Sequence, residues 1–157
     1  MVRERKERKK VVAGVCYRRR NGDVEFLLVR TKGGAKWTFP KGHVAESEER
    51  EPWKAAAREA REEAGVLGVV ETTPFARYAY PDTRSKRESG DSVVAAYLLD
   101  VTSRERPRAD EEFRDPSWFA PGEAIEKLAE GGREQRYVDE HARVVSAALE
   151  RIESRSG

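Results

Sequence analysis

The stretch from Gly42 to Val66, GHVAESEEREPWKAAAREAREEAGV, holds the features that decide the fold. Pro52 suits the first position of a helix, where a backbone N–H is not needed, and the alanines that follow have high helix propensity. Gly65 fits the left-handed residue that commonly ends a helix. The sequence therefore predicts a short helix that begins at Pro52 and ends before Gly65.

Three glutamates on this helix, Glu59, Glu62 and Glu63, are spaced so that their carboxylates share one face. The like-charge pair Glu59 and Glu63 costs about 0.2–0.5 kcal/mol, and the helix dipole disfavours anions in the last turn. A divalent cation removes both penalties, and Mg²⁺ prefers a few carboxylates with water and phosphate oxygens. The alternative is a solvated face on which Arg58 pairs with Glu62.

The same helix must also pack against the rest of the protein. A neighbouring face carries residues that we expect to pack closely against a sheet, namely Trp53, Ala57, Ala60 and Ala64.

The order Gly42, Glu48, Arg58-Glu59, Glu62-Glu63, Gly65-Val66 resembles the Nudix box, G-x5-E-x7-R-E-U-x-E-E-x-G-U, where U is a bulky aliphatic residue. Ala60 is small for its U position. Nine residues, 49–57, separate Glu48 from Arg58, where the family has seven. This spacing indicates a two-residue insertion in the loop before the helix. It leaves open whether Glu48, Glu49 or Glu51 braces Arg58.

The resemblance implies the Nudix fold, an α/β (α+β) architecture with a mixed β-sheet between helices in an α/β/α sandwich. The order of segments along the chain matches that fold. Asn21-Gly22 predicts a hairpin turn, and a stripe on the last helix is predicted to be buried, comprising Val138, Ala142, Val145, Leu149 and Ile152. The predicted strands are Val11–Tyr17, Val24–Val29, Trp37–Phe39, Leu67–Val70, Phe75–Tyr80, Ser92–Val101 and Pro116–Phe119, and the later helices are Pro121–Glu130 and Gln135–Ile152.

The whole chain has the length of one domain and little net charge. The chain has 157 residues. We expect a charged, flexible arm at residues 1–10 and a single Nudix domain at residues 11–153. A net charge of +2 argues against a dedicated nucleic-acid binder. One cysteine suits a reducing cytosol, and no apolar stretch is long enough to span a bilayer. We expect a soluble cytoplasmic protein whose oligomeric state the sequence does not indicate.

The resemblance also implies a metal site. Gly42 would offer a backbone carbonyl to Mg²⁺, with Mn²⁺ as a substitute, and the metal-binding carboxylates would be Glu59, Glu62 and Glu63. Arg58 would orient those carboxylates. One further carboxylate is needed to take a proton from water, and Glu62, Glu111 and Glu112 compete for that role.

Cationic residues are expected to hold the phosphates of the substrate. The resemblance places Lys41 near them, with an ordinary exposed lysine as the alternative. The polar loop Pro81–Asp91 carries Arg84, Lys86 and Arg87, which are predicted either to clamp a polyphosphate or to be solvated.

The predicted reaction is hydrolysis of a phosphoanhydride in a nucleoside diphosphate linked to another group. The segment WTFPKGHV resembles the corresponding segment of Nudix enzymes that act on diadenosine polyphosphates and on inositol pyrophosphates, so dinucleoside polyphosphates are the first expectation. Inositol pyrophosphates and oxidised nucleotides such as 8-oxo-dGTP are the enzymatic alternatives. Two other classes are a module that senses a nucleotide without cleaving it and an RNA-end processing protein that uses residues 1–10.

Overall fold

The computed structural model describes residues 10–81, 91–105 and 112–155. Four residues with predicted roles lie outside these ranges, namely Arg84, Lys86, Arg87 and Glu111. The strands are β1 (Val11–Arg20), β2 (Asp23–Arg30), β3 (Trp37–Thr38), β4 (Lys41–His43), β5 (Val66–Val70), β6 (Ala76–Pro81), β7 (Asp91–Arg104) and β8 (Ser117–Phe119). The helices are α1 (Pro52–Ala64), α2 (Pro121–Ala129) and α3 (Gln135–Arg155), and a 3₁₀ turn covers Glu46–Glu48.

The sheet is mixed, as predicted. Its two central strands, β1 and β7, run parallel. The main order is β3-β2-β1-β7-β5, and the pairings of the short strands β4 with β1, β6 with β7 and β8 with β2 complete the sheet. All pairings other than that between β1 and β7 are antiparallel. The Asn21-Gly22 hairpin is confirmed, with both residues at positive φ.

Helices cover both faces of the sheet, which confirms the α/β/α sandwich. Side chains alternate along a strand, so Ala13 and Val15 of β1 face α2 and α3 while Val12 and Cys16 face α1. Gly14 permits the close approach of α1, because a Cβ there would lie 3.0 Å from the carbonyl oxygen of Ala56. Within the described residues, no helix is long and apolar enough to cross a membrane.

The contact faces of two helices differ from the sequence prediction by a small rotation. On α1, Ala60 and Ala64 are buried as predicted, but Trp53 and Ala57 are only half-buried. The inward side instead includes two glutamates, and its members are Ala55, Ala56, Glu59, Ala60, Glu63 and Ala64. The hydrophobic pattern alone missed this rotation because it placed the glutamates on a face beside the packing face and not within it.

On α3 the buried stripe shares only two residues with the predicted one, Val145 and Ile152. Its members are Tyr137, His141, Val144, Val145, Ala148 and Ile152. The shift follows from aromatic packing, since the imidazole of His141 stacks on Phe39 at 5.9 Å between ring centroids and contacts Tyr78 at 5.2 Å. His141 is thus part of the packed core.

Candidate active site

The backbone of β4 and the first buried carboxylate of α1 lie in direct contact. A Cβ atom at Gly42 would lie 2.3 Å from Oε1 of Glu59, so any side chain larger than hydrogen would displace that carboxylate. The contact exists because β4 pairs with the start of β1 while α1 packs over the same face of the sheet. Glycine at this position therefore allows a main-chain group to approach the carboxylate.

Glu59 and Glu63 form a buried pair of carboxyl groups, with 8% and 7% of their surface exposed. Each side chain perturbs the ionisation of the other. The backbone N–H of Lys41 donates to Oε1 of Glu63 at 3.4 Å. Burial raises the pKa of both carboxyl groups, and the charge of Glu59 raises the pKa of Glu63 further. A cation at this pair would offset the cost of burying two carboxylates side by side.

Arg58 is the centre of a hydrogen-bond network that holds the box together. Its Nε and Nη2 each donate to one oxygen of Glu48 at 2.9 Å, and Nη2 also donates to the carbonyl of His43 at 3.0 Å. Its Nη1 donates to Glu59 at 2.9 Å and to Glu62 at 3.3 Å. The hydrogen bond to Glu48 raises the pKa of Arg58 and lowers that of Glu48.

These contacts answer the question that the two-residue insertion raised. Glu48 braces Arg58, whereas Glu51 pairs with Lys54 at 3.0 Å and Glu49 is exposed. The 3₁₀ turn at Glu46–Glu48 and the residues up to Pro52 accommodate the longer loop. Arg58 thus keeps a bidentate carboxylate partner despite the altered spacing.

The residues present suit a divalent cation with few protein ligands. Within the described part of the chain, no three Asp, Glu, His or Cys side chains converge on one point, because the exposed Glu62 is turned to Arg58. Mg²⁺, however, is commonly held by one or two carboxylates, and waters and substrate phosphates complete its shell. The buried pair of Glu59 and Glu63, beside the open backbone at Gly42, matches that requirement.

Glu112 lies on a segment that is anchored to the last turn of α1. The backbone N–H of Arg114 donates to the carbonyl of Glu63 at 2.9 Å. Glu112 is exposed, two residues before that anchor. Glu111, its competitor for the role of general base, lies outside the described residues, as do Arg84 and Lys86.

A cavity of about 940 Å³ adjoins the box at Lys41. It is lined by residues of three regions, which include Thr38 and Lys41 before α1, Tyr80 at the end of β6, and Arg133 before α3. Lys41 is half-buried, and its ammonium lies 5.8 Å from the centroid of the Tyr80 ring. Sequence reasoning did not identify Thr38 or Arg133. The signal near Arg133 is only the preceding pair Gly131-Gly132, both at positive φ.

Comparison with known proteins identifies the family. The NUDIX domain family model matches residues 8–141, which is most of the chain. The protein therefore belongs to the NUDIX domain family.

Two curated relatives carry hydrolase names. Nudix hydrolase 21, chloroplastic, of Arabidopsis thaliana is 34% identical over 122 residues, which cover 75% of this chain and 59% of that protein. Bis(5'-nucleosyl)-tetraphosphatase (asymmetrical) of Caenorhabditis elegans is 45% identical over 53 residues, which cover 33% of this chain and 37% of that protein. The chain thus spans less than two thirds of the length of either relative.

Solved structures share the fold. A Caenorhabditis elegans Ap4A hydrolase binary complex superposes with a TM-score of 0.71 at 22% identity, covering 93% of this chain and 98% of that chain. The NUDIX domain of Shewanella oneidensis NrtR complexed with ADP ribose gives a TM-score of 0.66 at 18% identity, covering 94% and 90%. At these identities the likeness establishes the fold.

Proposed function

We propose that this protein is a metal-dependent hydrolase of a phosphoanhydride bond in a nucleoside diphosphate linked to another group. The observation that carries the proposal is the buried Glu59 and Glu63 pair, which lies against Gly42 and is braced by Arg58 and Glu48. A buried like-charge pair is costly unless it serves a cation or shares a proton. We further propose a cytoplasmic location, in keeping with the single, buried, free cysteine.

The chemistry that such a site must supply is charge screening and activation of water. A phosphoanhydride resists hydrolysis because its negative charge repels the nucleophile and because the leaving phosphate needs stabilisation. Bound Mg²⁺, or Mn²⁺ in its place, would screen that charge and lower the pKa of a water molecule. Glu59, Glu63 and Glu62 would hold the metal together with the Gly42 carbonyl.

Residues beside the carboxylates have supporting roles in this proposal. Arg58 positions Glu59 and Glu62 through its Nη1, so its effect on the reaction passes through those carboxylates. The general base is Glu62, Glu111 or Glu112. Glu112 is supported by the anchoring of its segment to the backbone of Glu63.

Dinucleoside polyphosphates are the substrates that we propose first. Support comes from the match to bis(5'-nucleosyl)-tetraphosphatase and from the cationic cavity of about 940 Å³ beside Lys41. Inositol pyrophosphates and oxidised nucleotides are the enzymatic alternatives. The non-enzymatic alternative is a module that binds a nucleotide without cleavage; the NrtR domain, which shares the fold, has been crystallised with ADP ribose.

The test is product analysis with a substrate panel in Mg²⁺, Mn²⁺ or EDTA. The panel contains diadenosine tetraphosphate, an inositol pyrophosphate, 8-oxo-dGTP, ADP-ribose and capped RNA. Glu63→Gln is the test variant, and Glu153→Gln, on the exposed side of α3, is the matched control. We expect asymmetric cleavage of diadenosine tetraphosphate to ATP and AMP, absent in EDTA and in Glu63→Gln. Equal turnover by Glu63→Gln would overturn the site, and a folded protein that cleaves nothing would overturn the activity.

A further inference from the structure

The strand β5 forms one edge of the sheet, because β7 is its only strand partner among the described residues. The start of β5 is covered, with Val66 1% exposed, whereas residues 67–70 are half-buried or exposed. A sheet edge presents unpaired N–H and C=O groups that can pair with a strand of another chain. We refer to residues 67–70 as the free edge.

A hydrogen bond at the end of β5 shows which backbone groups of the free edge point outward. The N–H of Glu71 donates to the carbonyl of Leu98 in β7 at 2.9 Å. In an antiparallel pair, alternate residues bond to the same neighbouring strand, so Val69 also faces β7 with its backbone groups. The N–H and C=O groups of Gly68 and Val70 therefore point away from β7, and no described residue is hydrogen-bonded to them.

The strand β6, which likewise pairs with β7, has a protected edge. Two side chains of α3 bond to its outward groups: Glu140 accepts from the N–H of Ala79 at 3.1 Å, and Arg143 donates to the carbonyl of Arg77 at 2.6 Å. Beside β5, by contrast, a groove of about 880 Å³ lies between the strand and α3. Natural edges are also protected by charged residues or proline, and the sequence of β5, VLGVV, contains neither.

Val69 gives the free edge an apolar contact surface. Its side chain is 66% exposed and lines the groove beside α3. The strand itself carries no charge, and the first charged residue after it, Glu71, is paired with Arg151 at 3.1 Å and Arg155 at 3.0 Å. Placing the free edge against an identical edge therefore brings no unpaired like charges together.

We propose that the free edge is a dimer interface, at which β5 pairs with β5 of a second copy of this chain about a two-fold axis at Val69. In this antiparallel register Gly68 of each copy lies opposite Val70 of the other, so their outward N–H and C=O groups bond to one another. Val69 lies opposite its own copy, at the kind of position where facing side chains are closest. A register centred on Gly68 would need the backbone of Val66, which is covered.

The identity of the partner follows from this symmetry. An unrelated extended peptide would satisfy the same backbone groups, but an identical edge also sets the exposed Val69 against an equal apolar partner, and such an isologous contact is self-complementary. The helices leave room for the second copy, because α1 packs over Gly14 of β1, two strands in from the edge, and the groove lies between β5 and α3. No residue of β5 belongs to the proposed active site, so the interface does not depend on the proposed function.

The first experiment is sedimentation velocity of the full chain from about 10 μM to about 1 mM, a range suited to a contact smaller than that of a permanent dimer. We expect the sedimentation coefficient to rise with concentration toward that of a dimer. Val69→Lys should weaken association at least about tenfold, since lysine protects natural edges. Val93→Lys is the matched control, because Val93 is also an exposed valine, at 58%, and lies on β7 opposite β6; its association should be unchanged.

The outcomes of sedimentation decide the proposal. Both substitutions are at exposed positions, and equal melting temperatures of the two variants would show that both fold. A protein that stays monomeric up to about 1 mM would overturn the dimer, and the edge would then be open to a strand of a different protein. A dimer that Val69→Lys leaves intact, or that Val93→Lys disrupts equally, would place the interface elsewhere and overturn the proposal.

Amide hydrogen exchange measured by NMR tests the register. Between the lowest and highest concentrations, exchange of the Gly68 and Val70 amides should slow at least about threefold, because only the dimer gives them a partner. The Val69 and Glu71 amides bond to β7 and should be protected in the monomer and the dimer alike. A dimer in which the Gly68 and Val70 amides exchange at the monomer rate would overturn strand pairing.

Discussion

His141 is expected to make the fold sensitive to mild acid, and replacing it with glutamine should remove that sensitivity. The side chain is 3% exposed, and its Nδ1 lies 2.6 Å from the carbonyl oxygen of Tyr137. Because a carbonyl only accepts, Nδ1 carries the proton of the neutral ring. Burial lowers the pKa of His141 from 6.5 to about 4.

The sign and size of the effect follow from linkage. The unfolded chain takes up a proton near pH 6.5, whereas the folded chain resists protonation until about pH 4. His141 therefore contributes stability that is complete above pH 6.5 and is lost as the pH falls toward 4. At about 1.4 kcal/mol per pKa unit, the loss between pH 7.5 and pH 5.0 is about 2 kcal/mol.

The assay is urea denaturation of the unmodified protein and His141→Gln at pH 7.5, 6.5 and 5.0. Glutamine is uncharged throughout and keeps an N–H donor for the Tyr137 carbonyl. EDTA in all samples prevents metal from binding to Glu59 and Glu63. The quantity to compare is the difference in unfolding free energy between the two proteins. The raised pKa of Glu63 changes the stability of both proteins with pH in the direction opposite to that of His141, and the difference removes this contribution. If the unfolding free energies of the two proteins change with pH in parallel, within about 0.5 kcal/mol, this account of His141 is wrong.

Three further predictions concern the box. Glu63→Gln should raise the melting temperature in EDTA at pH 8 but not at pH 5. The pKa of Glu63 is raised, so its ionisation beside Glu59 destabilises the fold as the pH rises. A lower melting temperature of the variant at pH 8, measured by scanning calorimetry, would contradict this. Gly42→Ala should reduce metal-dependent turnover at least about tenfold, because the new Cβ meets the Glu59 carboxylate. Urea denaturation should show a loss of stability of about 1–3 kcal/mol. Undiminished turnover would contradict the proposed metal site. Glu48→Gln breaks the charged bidentate pair with Arg58, so it should lower stability by about 1–3 kcal/mol and reduce kcat. If the denaturation midpoint and kcat are unchanged, Glu48 does not brace Arg58.

Local features of the sequence were enough to predict most of the helices and strands, whereas the way they assemble was implied by the resemblance to the Nudix family. Pro52 and Gly65 bound α1, and Asn21-Gly22 closes the hairpin, because each of these residues restricts or frees its own backbone dihedrals. The strand segments and their order likewise follow from hydrophobic patterns a few residues long. The spacing of Glu59, Glu62 and Glu63 placed them on one helix without reference to the rest of the chain.

Contacts between distant segments decided what these residues do in the folded protein. The rotation of α1 against the sheet buries Glu59 and Glu63 and leaves Glu62 exposed beside Arg58. The choice of Glu48 as the partner of Arg58 depended on the path of a lengthened loop.

The cavity is likewise a product of tertiary structure. Thr38 lies on β3, Lys41 on β4 and Arg133 in the loop before α3, so almost a hundred residues of sequence separate groups that line one wall. No local spacing encodes their meeting, because it depends on how β3, β4 and the start of α3 pack around the sheet. The sequence by itself determined the elements and the box, and the tertiary structure determined which side chains are buried, which are paired and which remain available to a ligand.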